Sequence, residues 1–249
     1  MTKVTQHDPG NFSWMELATT DYKAALRFYG ELFGWTAQEM PMPEGVYVML
    51  KKDGYDAAAM YENKKVPPNW LPYVAVANAD ETAARAKELG ANVMQGPFDV
   101  MDVGRMAVIA DPEGAVFAIW QAGRHYGASV IRETGSLCWN ELETRNRDAA
   151  VQFYTSLFGW TPKVSPEYVE FHVGGLGIGG AMTMNEQMKD VPPHWMAYFC
   201  VDDCDASTAK AQSTGGGVLV PPMDIPNTGR FSVLRDPQGA VFALFQPKM

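Results

Sequence analysis

Three cysteines in 249 residues are too few for a disulfide framework, so the chain is expected to fold without covalent staples, with the reducing cytoplasm as its simplest home. Long apolar runs are missing as well. None approaches the ~18 residues of a membrane span, and residues 1–10 lack the apolar segment of a secretion signal. Positive charge is scarce: 20 Lys and Arg stand against 29 Asp and Glu, a net charge of −9. Nucleic-acid binding draws most of its affinity from Lys and Arg neutralising phosphates, so no nucleic-acid partner is expected. The same imbalance argues against an anionic membrane surface. Apolar residues (47%) and aromatics (12%) are plentiful, enough for a packed core, and a small molecule remains as the expected partner.

The chain repeats itself. Trp14-Met-Glu-Leu-Ala-Thr returns as Trp139-Asn-Glu-Leu-Glu-Thr, and Phe28-Tyr-Gly-Glu-Leu-Phe-Gly-Trp35 as Phe153-Tyr-Thr-Ser-Leu-Phe-Gly-Trp160. Val66-Pro-Pro-Asn-Trp70 returns at Val191, and Asp111-Pro-Glu-Gly-Ala-Val-Phe-Ala118 at Asp236, always 125 residues on. Four blocks in one register establish an internal duplication. Residues 1–121 and 137–249 are the two copies, and 122–136, which has no counterpart, reads as a linker.

Within a copy the pattern is α+β. Residues 13–19 suit a strand, and 21–33 a helix, with Ala25, Phe28, Tyr29 and Leu32 at helical spacing and Gly34 as its stop. Short strands are expected over 45–50 and 57–61 around a Lys-Lys-Asp-Gly turn. A strand over 73–77, a helix over 80–89 and a hairpin over 104–110 and 115–121 follow. The second copy repeats this, with helices at 147–158 and 203–214. Each domain is read as two βαβββ units.

Asp21-x6-Phe28-Tyr29-x2-Leu32-Phe33-Gly34-Trp35, Val201-Asp-Asp-x-Asp205 and the two Gly-Arg…Asp-Pro-x-Gly blocks resemble the vicinal oxygen chelate superfamily of glyoxalases, bleomycin-resistance proteins and extradiol dioxygenases. Residues 124–127 and 133–141 also resemble the two-domain glyoxalase-like culture-filtrate antigens of mycobacteria and their actinobacterial relatives. The resemblance implies two tandem glyoxalase-like domains, each a cupped mixed sheet built from paired units. Such units pair within or between chains, so a homodimer is one arrangement it implies.

In metal-dependent members the ion sits in the cup. The matching positions here hold Trp14, about Leu71, Trp139, about Met196, Ala118 and Ala243, none of them a metal donor. His7, His125, His172 and His194 are scattered and unrepeated. No metal and no cofactor is therefore expected. The reading is a protein binding a small molecule in aromatic-lined cups, with a lyase- or isomerase-like step on carboxylates as its chemistry. A metal-dependent glyoxalase or dioxygenase is the rival, and a structural protein with filled cups the third reading.

Side chains alternate across a strand, so Trp14 and Glu16 share a face, as do Trp139 and Glu141. If that face is the cup, Glu16 and Glu141 become desolvated carboxylates fit for general-base work or for a cationic ligand. Alternatively each pairs with Arg105 or Arg230 as a structural bridge. Trp14, Trp70, Tyr73, Trp120, Trp139, Trp195, Tyr198 and Phe245 are candidate wall residues, with Arg105 and Arg230 as polar ligand contacts. Gly175-Leu-Gly-Ile-Gly-Gly180 is read as a hairpin rather than a phosphate loop, because no helix pattern follows it. Cys200-x3-Cys204 lacks a second ligand pair, and Ser136 and Ser232 lack a triad pattern.

Overall fold

The computed structural model describes residues 3–42 and 45–248. The first unit runs β1 (Phe12–Thr19), α1 (Tyr22–Phe33), β2 (Thr36–Met42), β3 (Gly45–Lys52) and β4 (Tyr55–Glu62). The second runs β5 (Asn69–Ala75), α2 (Ala79–Glu88), β6 (Asn92–Val100), β7 (Gly104–Ala110) and β8 (Val116–Ala122). The third is β9 (Leu137–Thr144), α3 (Arg147–Phe158), β10 (Thr161–Val164), β11 (Tyr168–Val173) and β12 (Leu176–Thr183). The fourth is β13 (His194–Cys200), α4 (Cys204–Ser213), β14 (Gly217–Ile225), β15 (Gly229–Arg235) and β16 (Val241–Pro247).

Local chemistry sets the helix ends. The Asp21 carboxylate accepts the Ala24 N–H, and Gly34 closes α1 at φ 71°, in the left-handed region that a glycine adopts without a Cβ clash. Asn146 and Gly159 do the same for α3. The strands β2 and β6, which hydrophobic alternation did not mark, lie at sheet edges with mostly exposed side chains. An edge strand buries too little to carry a period-two pattern.

Each domain is one eight-stranded mixed sheet, in the orders β2-β3-β4-β1-β5-β8-β7-β6 and β10-β11-β12-β9-β13-β16-β15-β14. In both, the two units join through their first strands: β1 runs antiparallel to β5, and β9 to β13. The units that share a cup therefore come from one domain.

The helical cores are shared differently. Phe28, Tyr29 and Phe33 of α1 pack with Phe199, Phe242 and Leu244 of the second domain. Phe153 and Tyr154 of α3 pack with Ala83, Ile109 and Phe117 of the first. Unit one thus shares its core with unit four, and unit two with unit three. The helix-bearing, convex faces of the sheets lie against each other, with β5 and β8 touching β13 and β16 directly and the helices α1 with α4 and α2 with α3 packed at the sides. The concave faces are the opposite ones.

The repeated Trp of the Phe-Gly-Trp motif ties the halves. Trp35 Nε1 donates to the Gly135 carbonyl and Trp160 Nε1 to that of Gly10, each at 2.7 Å.

Candidate functional site

Strand parity fills the two concave faces. On the first lie Trp14, Tyr47, Met49, Tyr73, Met106, Ala118 and Trp120. On the second lie Trp139, Met196, Tyr198, Phe231, Ala243 and Phe245. Trp14 and Trp139 share these faces with Glu16 and Glu141, as strand alternation requires, and the wall candidates Tyr73, Trp120, Tyr198 and Phe245 lie on them too.

Four expected contacts lie elsewhere. Trp70 and Trp195 are three residues from Tyr73 and Tyr198, an odd separation, so on a regular strand they face the opposite side. They sit in the interdomain core, where their Nε1 atoms donate to the hydroxyls of Tyr29 (3.0 Å) and Tyr154 (2.9 Å). Arg105 neighbours cup-facing Met106 and so points to the convex side. It holds Asp80 at the start of α2 through two nitrogens and Asp99 through a third. Arg230 repeats this with Asp205 and Asp224. Neither arginine pairs with Glu16 or Glu141.

Those carboxylates instead meet tyrosines. Tyr47 and Tyr73 donate to the two oxygens of Glu16 at 2.6 and 2.7 Å, and Trp14 Nε1 donates to the Tyr47 hydroxyl at 3.2 Å. In the second cup Tyr198 donates to Glu141 at 2.6 Å, while Trp139 Nε1 donates to Tyr168 at 2.8 Å. Burial pushes both carboxyls above the usual range, and the tyrosine hydrogen bonds draw them partly back. Two glycines make room for these aromatics. A Cβ at Gly180 would stand 2.3 Å from the Tyr168 hydroxyl, and one at Gly104 would stand 2.2 Å from the Trp120 ring.

The cups differ in two respects. Residues 123–131 of the linker run over the aromatic wall of the first. The His125 ring stands edge-on to Trp14, centroids 4.8 Å apart, and its carbonyl accepts the Trp120 Nε1 proton at 2.8 Å. The Ala128 N–H donates to the Ser13 carbonyl at 2.7 Å. Beneath this strap Trp14 is 3% and Trp120 6% exposed. Their counterparts Trp139 and Phe245 are half-buried, as is Phe231 beside them.

The second difference is a carboxyl that the sequence reading passed over. Glu143 follows Glu141 by two residues on β9 and shares its face; the first cup has Ala18 there. Glu143 is 5% exposed and its Oε2 atom has no hydrogen-bond partner. Burial first, and the charge of Glu141 second, push its carboxyl up to about 8. The signal was available: extending the parity of Trp139 and Glu141 by one step reaches it.

Among the described residues, no three His, Cys, Asp or Glu side chains converge as a metal site requires. Ala118 and Ala243 occupy the floor of the cups on the last strands. The donor set does not fit the ion that metal-dependent members of such folds hold in the cup.

A family model described as the glyoxalase/bleomycin resistance protein/dioxygenase superfamily matches residues 11–119 and 124–244. The CFP32 protein of Mycobacterium tuberculosis, which carries a glyoxylase name, is 41% identical over 99% of this chain and 98% of its own. The anthracycline biosynthesis protein DnrV of Streptomyces peucetius is 35% identical over 98% of this chain and 95% of its own. Among solved structures, a Mn(II)-bound glyoxalase from Novosphingobium aromaticivorans superposes with a TM-score of 0.68 at 13% identity, over 96% of this chain and 82% of that one. The dioxygenase LapB from Pseudomonas sp. KL28 gives 0.65 at 14% identity, over 100% and 94%.

Proposed function

The chain belongs to the glyoxalase/bleomycin resistance protein/dioxygenase superfamily, and from that premise we propose that it binds a small organic molecule in its second cup and acts on it through Glu141 without a metal. The observation that carries this reading is the pairing of an uncovered aromatic wall, Trp139, Phe231 and Phe245, with a buried carboxyl held by Tyr198. Apolar walls with a few converging polar groups are the usual make-up of a small-molecule site.

Burial raises the basicity of Glu141, and the tyrosines fix its orientation. As a carboxylate it takes a proton from an acidified carbon of the ligand and returns it at a neighbouring atom. The proton count is unchanged and nothing leaves, so the step is an isomerisation; in the lyase-type variant the bond to a leaving group on the adjacent atom breaks and the proton goes out with that group. Glu16, held the same way by Tyr47 and Tyr73, offers the first cup the same chemistry beneath a covered wall. The naming of DnrV for anthracycline biosynthesis supports an aromatic ligand class.

A thermal-shift screen against aldehyde adducts, aromatic metabolites and polycyclic antibiotics tests the reading, since a ligand that binds the folded state raises its apparent stability. A compound that stabilises the wild type, but neither Trp139→Ala nor Glu141→Gln, is the expected result. Stabilisation that survives both substitutions would place the ligand elsewhere.

A further inference from the structure

Glu143 has no part in the chemistry above. It is nine-tenths buried, on the same face as Glu141 and Trp139, with one oxygen sealed from solvent and unpartnered. An unsatisfied buried carboxyl oxygen is costly, so it is expected to find a partner when the site is filled.

The groups facing it are known. Glu141 lies on its own strand. Across the β9–β13 pair His194 is directly opposite, with Tyr198 further along the same face. From β12 comes the uncharged Met182, and from β11 come Tyr168 and Glu170, the latter bonded to His172 at 3.1 Å. Burial holds His194 toward its neutral form, and its Nδ1 faces the Pro192 carbonyl at 2.9 Å. Arg230, the cation of the neighbouring hairpin, is committed to Asp205 and Asp224 on the convex side. The second cup thus gathers carboxyls; the cation on this face, the exposed Lys163 of β10, stands 3.7 Å from Glu170, and the buried pair Glu141 and Glu143 lies beside rings that favour cations over their faces.

We propose that Glu143 and Glu141 together form the anchor for a cationic amine carried on a flat ring, the ammonium lying between the two carboxyls and the ring against Trp139. This rests on the second cup being the binding site. The first cup, with Ala18 in place of Glu143, does not share the preference.

The test is calorimetric titration of the full chain with tryptamine, its neutral analogue tryptophol and the anion indoleacetate. Tryptamine is expected to bind at least about tenfold more tightly than tryptophol, as a charge-assisted pair does relative to a neutral one. Glu143→Gln reduces the preference to about threefold or less. Glu143→Ala, which copies the first domain's residue, does the same and guards against a glutamine-specific artefact. Binding of the cation displaces the carboxyl proton, so tryptamine affinity rises between about pH 6.5 and 8.5, with protons released to buffer. Equal binding of tryptamine and tryptophol, both lost in Trp139→Ala, overturns the amine anchor and leaves the cup reading standing. Preference for indoleacetate, or a tryptamine preference unchanged in Glu143→Gln, also overturns it. No binding of any of the three overturns the anchor together with the reading on which it rests.

Discussion

Tyr29, in the first helix of the first domain, donates its hydroxyl proton to Asp236 in the last hairpin of the second, at 3.0 Å in a buried setting. Tyr154 donates to Asp111 at the same distance. Trp70 and Trp195 feed the two tyrosines, so the pattern Trp–Tyr–Asp crosses the domain boundary twice. The Asp of each Asp-Pro-x-Gly turn also accepts backbone N–H groups of its own loop. The most repeated motifs of the chain therefore hold its halves together.

Tyr29→Phe should leave an Asp236 oxygen buried without its donor, at a cost of about 1–3 kcal/mol. Tyr154→Phe should cost about the same. Because the two chains share no partner, the double variant should be close to additive. Urea midpoints of the four proteins check this. A loss below a few tenths of a kcal/mol in both single variants would show that the ties do not stabilise the fold.

Gly180→Ala places a Cβ 2.3 Å from the Tyr168 hydroxyl. The ring must move, breaking its bond to Trp139 and releasing Glu141 on one side. A loss of about 1–3 kcal/mol, as for overpacking, is expected. Ligand affinity at the second cup should fall with it, while Gly217→Ala, whose Cβ would meet nothing nearer than the Arg235 side chain at 3.8 Å, serves as a control for the added methyl.

Glu143 gives stability a pH dependence of known sign. Its carboxyl titrates near 8 in the folded chain and near 4.5 when unfolded. Between those values the folded state holds the extra proton, so stability falls as pH rises through that window. In Glu143→Gln this slope should flatten. Denaturation midpoints at several pH values between about 5 and 8 measure it, and parallel curves for the two proteins would contradict the assignment.

His125 has the opposite sense. Burial depresses its proton affinity, so below about pH 6.5 the unfolded chain takes up a proton that the folded strap refuses, and stability falls with acid. His125→Phe should remove part of that loss. His7 and His194 are depressed in the same way, so the comparison between variants, not the slope itself, is the readout. Acrylamide quenching of Trp14 should rise in acid for the wild type and change less in His125→Phe.

Protein purified without added metal should contain well under one Mn, Fe, Ni or Zn per chain by elemental analysis, because the cup presents too few donors. A stoichiometric ion would reverse the reading of Glu141 as a metal-independent base.

Much of the site was legible beforehand. Alternation put Trp14 on one face with Glu16, and Trp139 with Glu141, while the family resemblance marked that face as the cup. Trp70 and Trp195 leave the cups because an odd separation from Tyr73 and Tyr198 turns them to the other face of the strand, where they bond Tyr29 and Tyr154. Arg105 and Arg230 were drawn toward the glutamates by charge, yet aspartates on the helices and edge strands stand nearer on their own face. The edge strands β2 and β6 escaped because exposed positions impose no pattern.

The sequence by itself determined the duplication, the strand–helix–hairpin order inside each of the four units, and which residues of β1 and β9 share a face. Each of these rests on local periodicity or on residues compared at a fixed offset. Only the tertiary structure decided that the helices of one domain share cores with the other, that the linker covers the first aromatic wall, and that Glu143 is left without a partner. Those outcomes depend on which surfaces meet across 100 or more residues, as when Tyr29 finds Asp236, and no local pattern encodes such a meeting.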